Sequence, residues 1–474
     1  MAGQVKVAAD EKHEVAKYHH TSWGWGRKEG PVGEVLAQRM FPWWLVYLIT
    51  AVLPALVIFY GMGSSFSLAS VLCYAVLAAL FVMPVLACVA YVHCRLVAAR
   101  TPLDQSVIKF QDRSFERAWK GRKVPVEALY EAYFNEKVDI NGDLLAALYK
   151  RYDFADFVIT ASHFKFFLLQ LIPELLTHSR VQDTSQVREH YDRGNDFYHS
   201  FLGETMIYTS GIFNDFEETL EQAQVNKLDL VMNKIHLKKG EKLLDIGCGW
   251  GTLTVHAASK YGADVTGVTL AKEQTEWAND KIKKAGVTKN ARILCMDYRD
   301  IPKAKYNKIT CLEMAEHVGV KLFQSFMRQV YDMLEDDGVF YLQIAGLRRS
   351  FQYEDLVWGL FMGKYVFPGA DASCPLAWVI HQAEGAGFEV HGVETIGIHY
   401  SATIKRWYDN WQKNKDYIIN KYGVHWFRKW SWFLAWSTIV AEQGSATCYQ
   451  IVLHKNLRSF NRNRYIGERR RYDI

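Results

Sequence analysis

The longest apolar stretch of the chain runs from Phe41 to Cys94 and contains no Asp, Glu, Lys or Arg. A helix that crosses a bilayer needs about 20 such residues, so this stretch has room for two. The sequence YGMGSS (60–65) separates two apolar halves and is typical of a tight hairpin, which predicts two transmembrane helices at about 43–60 and 68–91. A buried core hairpin is the alternative, whereas a cleaved signal peptide does not fit the polar segment 1–40 that precedes the stretch.

Basic residues flank the predicted hairpin at both ends. Arg39 precedes it and Arg95 and Arg100 follow it, while the connecting loop has no Lys or Arg. The positive-inside rule places both ends in the cytosol. The sequence therefore predicts an integral membrane protein of the endoplasmic reticulum or Golgi, with its catalytic domain on the cytosolic side next to the lipid bilayer.

The pattern changes twice after the hairpin. Residues 95–185 have the mixed pattern of a helical linker, whose aromatic part at 153–180 suits either a membrane surface or ordinary core packing. From 186 to 456, short apolar runs such as KLLDIG (242–247) and GVFYLQIAG (338–346) alternate with amphipathic segments. Strands that alternate with helices predict an α/β domain with a parallel sheet, in which ligands bind at the carboxyl ends of the strands. A basic tail, 457–474, closes the chain.

The first predicted strand of this domain ends in an acid and a glycine turn, with Asp245 followed by Gly247, Gly249 and Gly251. Its spacing, D-x-G-x-G-x-G, differs from the G-x-G-x-x-G of dinucleotide sites. The next strand ends in GVTLAKEQ, without the acid that an NAD ribose requires at that point. The turn therefore predicts an adenosyl ligand without phosphates, namely S-adenosylmethionine.

These features predict a Rossmann-like class I S-adenosylmethionine-dependent methyltransferase core with a mostly parallel seven-stranded sheet. Asp245 and the glycine turn, including Cys248, are expected to hold the methionine part of the cofactor. Three residues after the second strand are expected to reach the ribose: Thr269, Leu270 and Gln274. The sequence CMDYRD is expected to bring three residues near the adenine: Asp297, Tyr298 and Arg299.

The net charge and the cysteine spacing disfavour two classes of function, nucleic-acid binding and metal binding. The net charge of +5 in 474 residues is too small to predict nucleic-acid binding. The eight cysteines form no CxxC pair and no grouping with zinc spacing, which predicts reduced thiols and no metal site.

Four further stretches carry a resemblance: REHYDRGNDFYHSFLGETMIYTSGIF (188–213), LEMAEHVG (312–319), KYVFPGA (364–370) and HYSATIKRWYDNW (399–411). Together with the glycine turn, they resemble the cyclopropane fatty acid synthase and mycolic acid cyclase family over about 186–456. Members of that family transfer a methyl group from S-adenosylmethionine to a lipid carbon–carbon double bond. The hairpin and the segment 432–456 are similar to a fungal branch, the enzymes that methylate C9 of the Δ8-unsaturated sphingoid base of ceramide lipids.

The resemblance also implies roles for single residues. It adds Tyr208 and Thr209 to the cofactor site, and it implies that Glu316 and Tyr400 hold a bicarbonate ion that acts as general base. Ser210 and Ser437 stand where the family has cysteines, and Gln343 stands where it has a histidine. We interpret Ser210 and Gln343 as reshaping the base so that proton loss restores the double bond. A polar and aromatic cluster is expected to close over cofactor and substrate: His190, Tyr191, Asn195 and Phe197.

Three alternatives remain at this point. A cyclopropane synthase acting on phospholipid acyl chains belongs to the same family, but the replaced residues disfavour it. A methyltransferase for a polar small molecule lacks support from these motifs. An inactive scaffold disagrees with the intact turn and Glu316. The sequence does not choose between ceramide and glucosylceramide as substrate, and it gives no oligomeric state.

Overall fold

The computed structural model describes residues 44–45, 48–52, 54–56, 68–166, 169–170, 193–348, 353–368 and 374–465. The chain divides into two compact units. One consists of Met1–Asp104 and Lys150–Asp156, and the other of Gln105–Tyr149 and Phe157–Ile474.

The first unit contains one long helix, Leu68–Arg100, with a π-helical turn at Leu48–Val52, a short helix at Arg151–Phe154 and a strand at Ala155–Asp156. The predicted second span, 68–91, lies within the long helix, whereas the predicted loop 60–65 and part of the first span lie outside the described residues. Among the residues that are described, no helix has both the length and the apolar character that a membrane crossing requires. The transmembrane hairpin therefore stays a prediction.

The front of the second unit corrects the prediction that 95–185 is a helical linker. Strands Ile108–Phe110 and Val138–Ile140 form an antiparallel pair, and residues 105–149 belong to the same unit as the main sheet. Side-chain caps explain the local helix starts, since the carboxylate of Asp112 accepts from the backbone N–H of Phe115 at 2.7 Å. The other elements here are a strand, Val124–Pro125, and four helices: Arg113–Trp119, Val126–Phe134, Leu144–Leu148 and Ala161–Phe166.

A seven-stranded sheet forms the centre of the second unit. Its strands are β1 (Lys242–Ile246), β2 (Asp264–Thr269), β3 (Ala291–Cys295), β4 (Tyr306–Leu312), β5 (Leu334–Leu347), β6 (Phe388–Thr395) and β7 (Ala446–Lys455). The order across the sheet is β6-β7-β5-β4-β1-β2-β3. The pairs from β5 through β4, β1 and β2 to β3 are parallel, and β7 is antiparallel to both of its neighbours. The predicted α/β class and mostly parallel seven-stranded sheet are confirmed.

Ten helices of this region are described. They are α1 (Asn195–Leu202), α2 (Leu220–Lys234), α3 (Thr252–Lys260), α4 (Lys272–Lys284), α5 (Phe323–Met333), α6 (Tyr353–Phe361), α7 (Leu376–Gly385), α8 (Gly397–Lys413), α9 (Lys415–Tyr422) and α10 (Val424–Glu442). Short 3-10 turns lie at Tyr298–Asp300, Ala315–His317 and Arg462–Tyr465, and a π-helical turn lies at Met362–Val366.

The central strands are buried on both faces, as a parallel sheet between helices requires. Leu243, Leu244 and Ile309 have no exposed surface. Their side chains belong to two apolar clusters, one that includes helix α5 and one that includes helices α2 and α3. This packing fixes the carboxyl ends of β1, β2 and β4 beside one another, which is where the predicted ligand residues lie.

An aromatic cluster joins helices α1, α8 and α10. Five tryptophans in it are almost fully buried: Trp407, Trp411, Trp430, Trp432 and Trp436. The ring of Phe197 packs at 5.2 Å from that of Trp411 and at 5.1 Å from that of Trp430. Rings this large remove much apolar surface from water, so the cluster is a substantial part of the core around these three helices.

Candidate active site

One cavity lies at the carboxyl ends of β1, β2 and β4. Every predicted cofactor residue except Gly251 lines it: Tyr208, Thr209, Asp245, Gly247, Cys248, Gly249, Thr269, Leu270, Gln274, Asp297, Tyr298 and Arg299. These residues come from four separate stretches of the sequence, and the parallel sheet brings their strand ends together.

The backbone conformation favours glycine at all three positions of the turn, and at two of them a Cβ would also clash with a neighbouring side chain. All adopt the left-handed region, with φ of +78° at Gly247, +53° at Gly249 and +74° at Gly251, which costs a side-chain-bearing residue about 1–2 kcal/mol. A Cβ on Gly247 would lie 2.5 Å from the Cβ of Met314, and one on Gly251 would lie 2.6 Å from the Cβ of Ala278. Gly251 therefore allows the turn to pack on helix α4 and does not line the cavity.

Asp245 is the buried acid of the turn. Its Oδ1 accepts from the Thr310 hydroxyl at 2.9 Å, while Oδ2 is buried near the Thr254 hydroxyl and neither of these two atoms has a well-formed hydrogen bond. Burial raises the pKa of the Asp245 carboxyl to about 6, although Thr310 and the nearby Lys227 act in the opposite direction. The free oxygen makes this residue ready to bind a cationic or hydroxyl-bearing ligand.

The predicted ribose and adenine residues also interact with one another. The Thr269 hydroxyl donates to Oε1 of Gln274 at 2.6 Å, and both side chains are buried. Asp297 caps the 3-10 turn that follows β3 by accepting from the backbone N–H of Arg299 at 2.9 Å. The same carboxylate accepts from the guanidinium of Arg299 at 2.8 and 2.6 Å. Asp297 thus both caps this turn and lines the cavity.

A partly buried acid that was not predicted from the sequence also lines the cavity. Glu313 follows β4 directly, lines the cavity and has a φ of +52°, an uncommon conformation for a residue other than glycine. Its Oε1 accepts from the backbone N–H of Ser210 at 2.9 Å and from Nε2 of Gln343 at 2.6 Å. The Cys448 thiol lies 3.6 Å from the same oxygen, and the Tyr400 hydroxyl also hydrogen-bonds this carboxylate.

The predicted catalytic residues Ser210, Gln343 and Tyr400 therefore meet at one carboxylate, that of Glu313. Tyr400 itself is partly buried, and its pKa lies well above the usual range because of desolvation and the nearby acids. Ser437 lies apart on α10, where its hydroxyl is 3.9 Å from the sulfur of Met362, and it does not line the cavity.

Glu316, the predicted base, is also buried, one turn further along the chain. Its Oε1 accepts from the backbone N–H of Ala345 at 2.5 Å, and its Oε2 has no hydrogen-bond partner among the described residues. Burial and the charge of Glu313 raise the pKa of Glu316 to about 8. Burial also raises the pKa of Glu313, but the hydrogen bonds from Ser210 and Gln343 and the charge of Lys227 oppose that shift. The charged form of Glu313 is thus stabilised by two hydrogen bonds and a nearby cation, whereas that of Glu316 also faces the repulsion of Glu313.

Lys227, on helix α2, is the cation of this site. Only 1% of its surface is exposed, and its ammonium donates to the Thr209 hydroxyl at 2.6 Å. Burial lowers the pKa of Lys227 to about 8, against the attraction of Glu313 and Asp245. The lysine therefore compensates charge from both the cofactor turn and the acid pair.

Two of the four predicted lid residues, Asn195 and Phe197, are described by the structure, and their surroundings differ. The Asn195 carbonyl oxygen accepts from Nε1 of Trp250 at 2.7 Å, and its amide donates to Glu273 at 3.3 Å, so it bridges the glycine turn and helix α4. Phe197 is 1% exposed in the aromatic cluster and is not part of the cavity lining. Its assignment to a substrate lid is therefore corrected to core packing. His190 and Tyr191 lie outside the described residues.

Three ionisable residues of the cavity were not predicted from the sequence: Lys227, Glu313 and His317. Glu313 and His317 lie inside the quoted stretch LEMAEHVG, and their position at the end of a strand was the available signal. Burial lowers the pKa of His317 to about 4, so this imidazole is neutral. Lys227 lies in an ordinary amphipathic helix, and only the folded chain shows that its side chain turns inward.

The sheet order and the cavity define a class I S-adenosylmethionine methyltransferase fold. The family model described as "Mycolic acid cyclopropane synthetase" matches residues 178–451, which is more than half of the chain. The chain belongs to this family and is a methyltransferase, so the family assignment made from the motifs is confirmed.

Two curated relatives are more than 50% identical to this chain. A "Sphingolipid C9-methyltransferase" of Komagataella phaffii is 58% identical over 372 residues, which cover 76% of each chain. "Sphingolipid C9-methyltransferase A" of Emericella nidulans is 57% identical over 75% of this chain and 70% of the relative.

Solved structures agree at the level of the family. The Mycobacterium tuberculosis cyclopropane synthase MmaA2 is 25% identical, with a TM-score of 0.55 over 57% of this chain and 98% of that one. The mycolic acid cyclopropane synthase CmaA1, solved with SAH and CTAB, is 26% identical with the same TM-score and coverage.

Proposed function

We propose that the protein transfers a methyl group from S-adenosylmethionine to C9 of the Δ8-unsaturated sphingoid base of a ceramide lipid. The observation that carries the proposal is the 58% identity, over 76% of both chains, to a relative that bears the name of this reaction. The cavity supports it, because its buried acids provide what the chemistry demands: a cofactor pocket with a proton acceptor beside it.

The residues present fit S-adenosylmethionine. The glycine turn lets the backbone approach a ligand closely, and the unpaired Oδ2 of Asp245 suits the cofactor's ammonium group. When bound, the cofactor supplies an electrophilic methyl group, and an alkene that takes this group becomes a carbocation at the neighbouring carbon. The chain must then keep water away from that cation and remove one proton.

Aromatic rings beside the cavity suit this cation. Tyr208 lines the cavity, and its ring lies 5.3 Å from that of Trp407 and 5.5 Å from that of Phe201. An aromatic face contributes up to about 2 kcal/mol to a desolvated cation. These rings also leave little room for water, so the same residues serve both requirements.

Cofactor affinity is expected to depend on pH through Asp245. Since burial raises the pKa of this carboxyl to about 6, it is ionised at pH 7 and protonated at pH 5, where it no longer attracts the ammonium group. We expect affinity for S-adenosylmethionine to fall about tenfold per unit below pH 6. Isothermal titration between pH 4.5 and 7.5 measures it.

The matched pair for this titration is Asp245→Asn and the surface variant Asp280→Asn. The first is expected to bind weakly with a flat pH profile, and the second to keep the wild-type profile. A wild-type affinity that does not change between pH 7 and pH 5 contradicts the assigned role of Asp245.

Membrane attachment remains part of the proposal. A ceramide lipid is nearly insoluble, and a hairpin at 41–94 supports the proposal by bringing the site close to the bilayer that holds the substrate. A position on the cytosolic face of the endoplasmic reticulum or Golgi follows from the basic residues that flank the hairpin.

Lipid analysis of cells with and without this gene, fed methyl-labelled methionine, tests the function. The proposal predicts a labelled methyl on the sphingoid base only when the protein is present, and lipid class separation shows whether ceramide or glucosylceramide carries it. Label on phospholipid acyl chains with unchanged sphingoid bases identifies a cyclopropane synthase of the same family instead.

A further inference from the structure

The family resemblance implies that Glu316 and Tyr400 hold a bicarbonate ion, and the structure places another carboxylate of the chain, that of Glu313, beside Tyr400. Ser210 and Gln343 both donate to Oε1 of Glu313, at 2.9 and 2.6 Å. The Tyr400 hydroxyl hydrogen-bonds the same carboxylate. Tyr400, which the resemblance assigns to the ion, and the two replaced positions Ser210 and Gln343 are therefore already engaged by a carboxyl group of the chain.

A bicarbonate ion does not fit beside this arrangement. It would have to displace Glu313 from the donors and then lie next to a buried, unpaired carboxylate. Two negative charges in one buried site repel each other strongly, and Lys227 already compensates Glu313 and Asp245. Arg299, the other basic residue of the lining, pairs with Asp297 at 2.6 Å. The residues present thus do not fit the ion.

We propose that Glu313 is the general base of the methyl transfer, and that it does in this chain what a bound bicarbonate ion would otherwise do. The assignment rests on the proposed function and adds a catalytic residue to it. Glu313 lines the cavity directly, whereas Glu316 does not.

The contacts of Glu313 leave it able to accept a proton. Ser210, Gln343 and Cys448 all approach Oε1, and the Tyr400 hydroxyl is a further donor to this carboxylate. A hydroxyl oxygen can also accept, so Glu313 can donate to Tyr400 once it has taken up a proton. Hydrogen bonds to Oε1 hold the carboxylate in one orientation, and a preorganised base loses little freedom when it reacts. Glu316 is then a neutral neighbour, held by the N–H of Ala345, and its proton keeps a second charge out of the site.

After the methyl group has bonded to one alkene carbon, the neighbouring carbon carries the positive charge. Glu313 takes the proton from the methylated carbon, and the electron pair of that C–H bond re-forms the carbon–carbon double bond. Glu313 becomes a neutral carboxylic acid and returns the proton to solvent after the product leaves.

The experiment compares Glu313→Gln with Glu316→Gln in the full-length chain in vesicles that contain a Δ8-unsaturated ceramide. Glu313→Gln keeps the shape but accepts no proton, so we expect at least a hundredfold loss of turnover, with affinity for S-adenosylmethionine within about threefold of wild type. Glu316→Gln imitates a protonated acid and is expected to lose less than tenfold. The surface variant Glu276→Gln is the matched control and is expected to behave as wild type.

Two further measurements do not depend on the folding of Glu313→Gln. Wild-type turnover in CO₂-free buffer is expected to equal that in buffer with added bicarbonate. Glu313→Ala, which clears the donors, is expected to regain activity with formate or bicarbonate. A wild-type enzyme that requires bicarbonate, or a Glu313→Gln variant with wild-type turnover, overturns the proposal.

A different experimental result would show that the proposed function itself is wrong. If the wild-type chain methylates phospholipid acyl chains and leaves ceramide unchanged, the substrate is wrong. The same variants and the same bicarbonate comparison are then measured on the acyl-chain product, so the role of Glu313 is decided independently of the substrate.

Discussion

Replacing Gly247 with alanine is expected to weaken S-adenosylmethionine binding by at least a hundredfold. The new Cβ would lie 2.5 Å from the Cβ and 2.6 Å from the Cγ of Met314, and the residue has a φ of +78°. The turn must therefore move, and Met314 must move with it. Because Gly247 and Met314 both line the cavity, this movement changes the cofactor site itself. Isothermal titration with S-adenosylmethionine measures the loss.

Gly286→Ala separates the effect of the clash from the effect of the backbone conformation. Gly286 has a φ of +71°, but a Cβ there meets nothing within 4 Å. We expect it to lower the free energy of unfolding by about 1–2 kcal/mol and to leave cofactor affinity unchanged. Equal affinity losses in the two variants would show that Gly247 acts only through overall stability.

Lys227→Met is expected to lower the free energy of unfolding by about 3 kcal/mol at pH 7. Removing one partner of a buried charge pair leaves the other uncompensated, which is the costly case. Here the remaining charges are those of Glu313 and Asp245. Chemical denaturation monitored by tryptophan fluorescence measures the difference.

The pH dependence of this loss follows from the raised pKa values of the acids. Asp245, with a pKa of about 6, is ionised at pH 7 and takes up a proton as the pH falls to 5, so it no longer needs the lysine's charge. The cost of Lys227→Met is therefore expected to shrink between pH 7 and pH 5. A cost that is the same at both pH values contradicts the proposed compensation.

Lys234→Met on the same helix is the matched control. Lys234 pairs with Glu394 at 2.6 Å, but both side chains are partly exposed. Such a pair contributes about 1 kcal/mol or less. A control variant as unstable as Lys227→Met would attribute the loss to helix α2 in general.

The sequence predicted the cofactor half of the site well because that half is local. Asp245 lies near the end of β1, and Gly247 and Gly249 come directly after this strand. Thr269 ends β2 and Asp297 comes shortly after β3. The strand ends alone therefore place these residues together. Glycine spacing also carries a direct backbone requirement, which the positive φ values of the turn bear out. The sheet class followed from the same alternation of strands and helices.

The acid half of the site was harder to predict because it depends on long-range contacts. Ser210, Glu313 and Gln343 are far apart in sequence, and their hydrogen bonds exist only after β4 and β5 have paired. Sequence alone favoured Glu316, since nothing in it shows which of two nearby acids faces the cavity. The aromatic residue Phe197 was misassigned for a similar reason: its neighbours on α8 and α10 are more than 200 residues away.

The number of deuterium atoms in the product shows whether the reaction forms a methyl branch or a cyclopropane ring. The full-length chain is incubated with S-adenosylmethionine that carries a CD₃ group and with a Δ8-unsaturated ceramide, and the sphingoid base is analysed by tandem mass spectrometry. Our account predicts a branch at C9 that retains all three deuterium atoms, with the double bond still present, because the base removes the proton of the methylated carbon. A product with only two of the deuterium atoms and no double bond is a cyclopropane, and it would contradict the account.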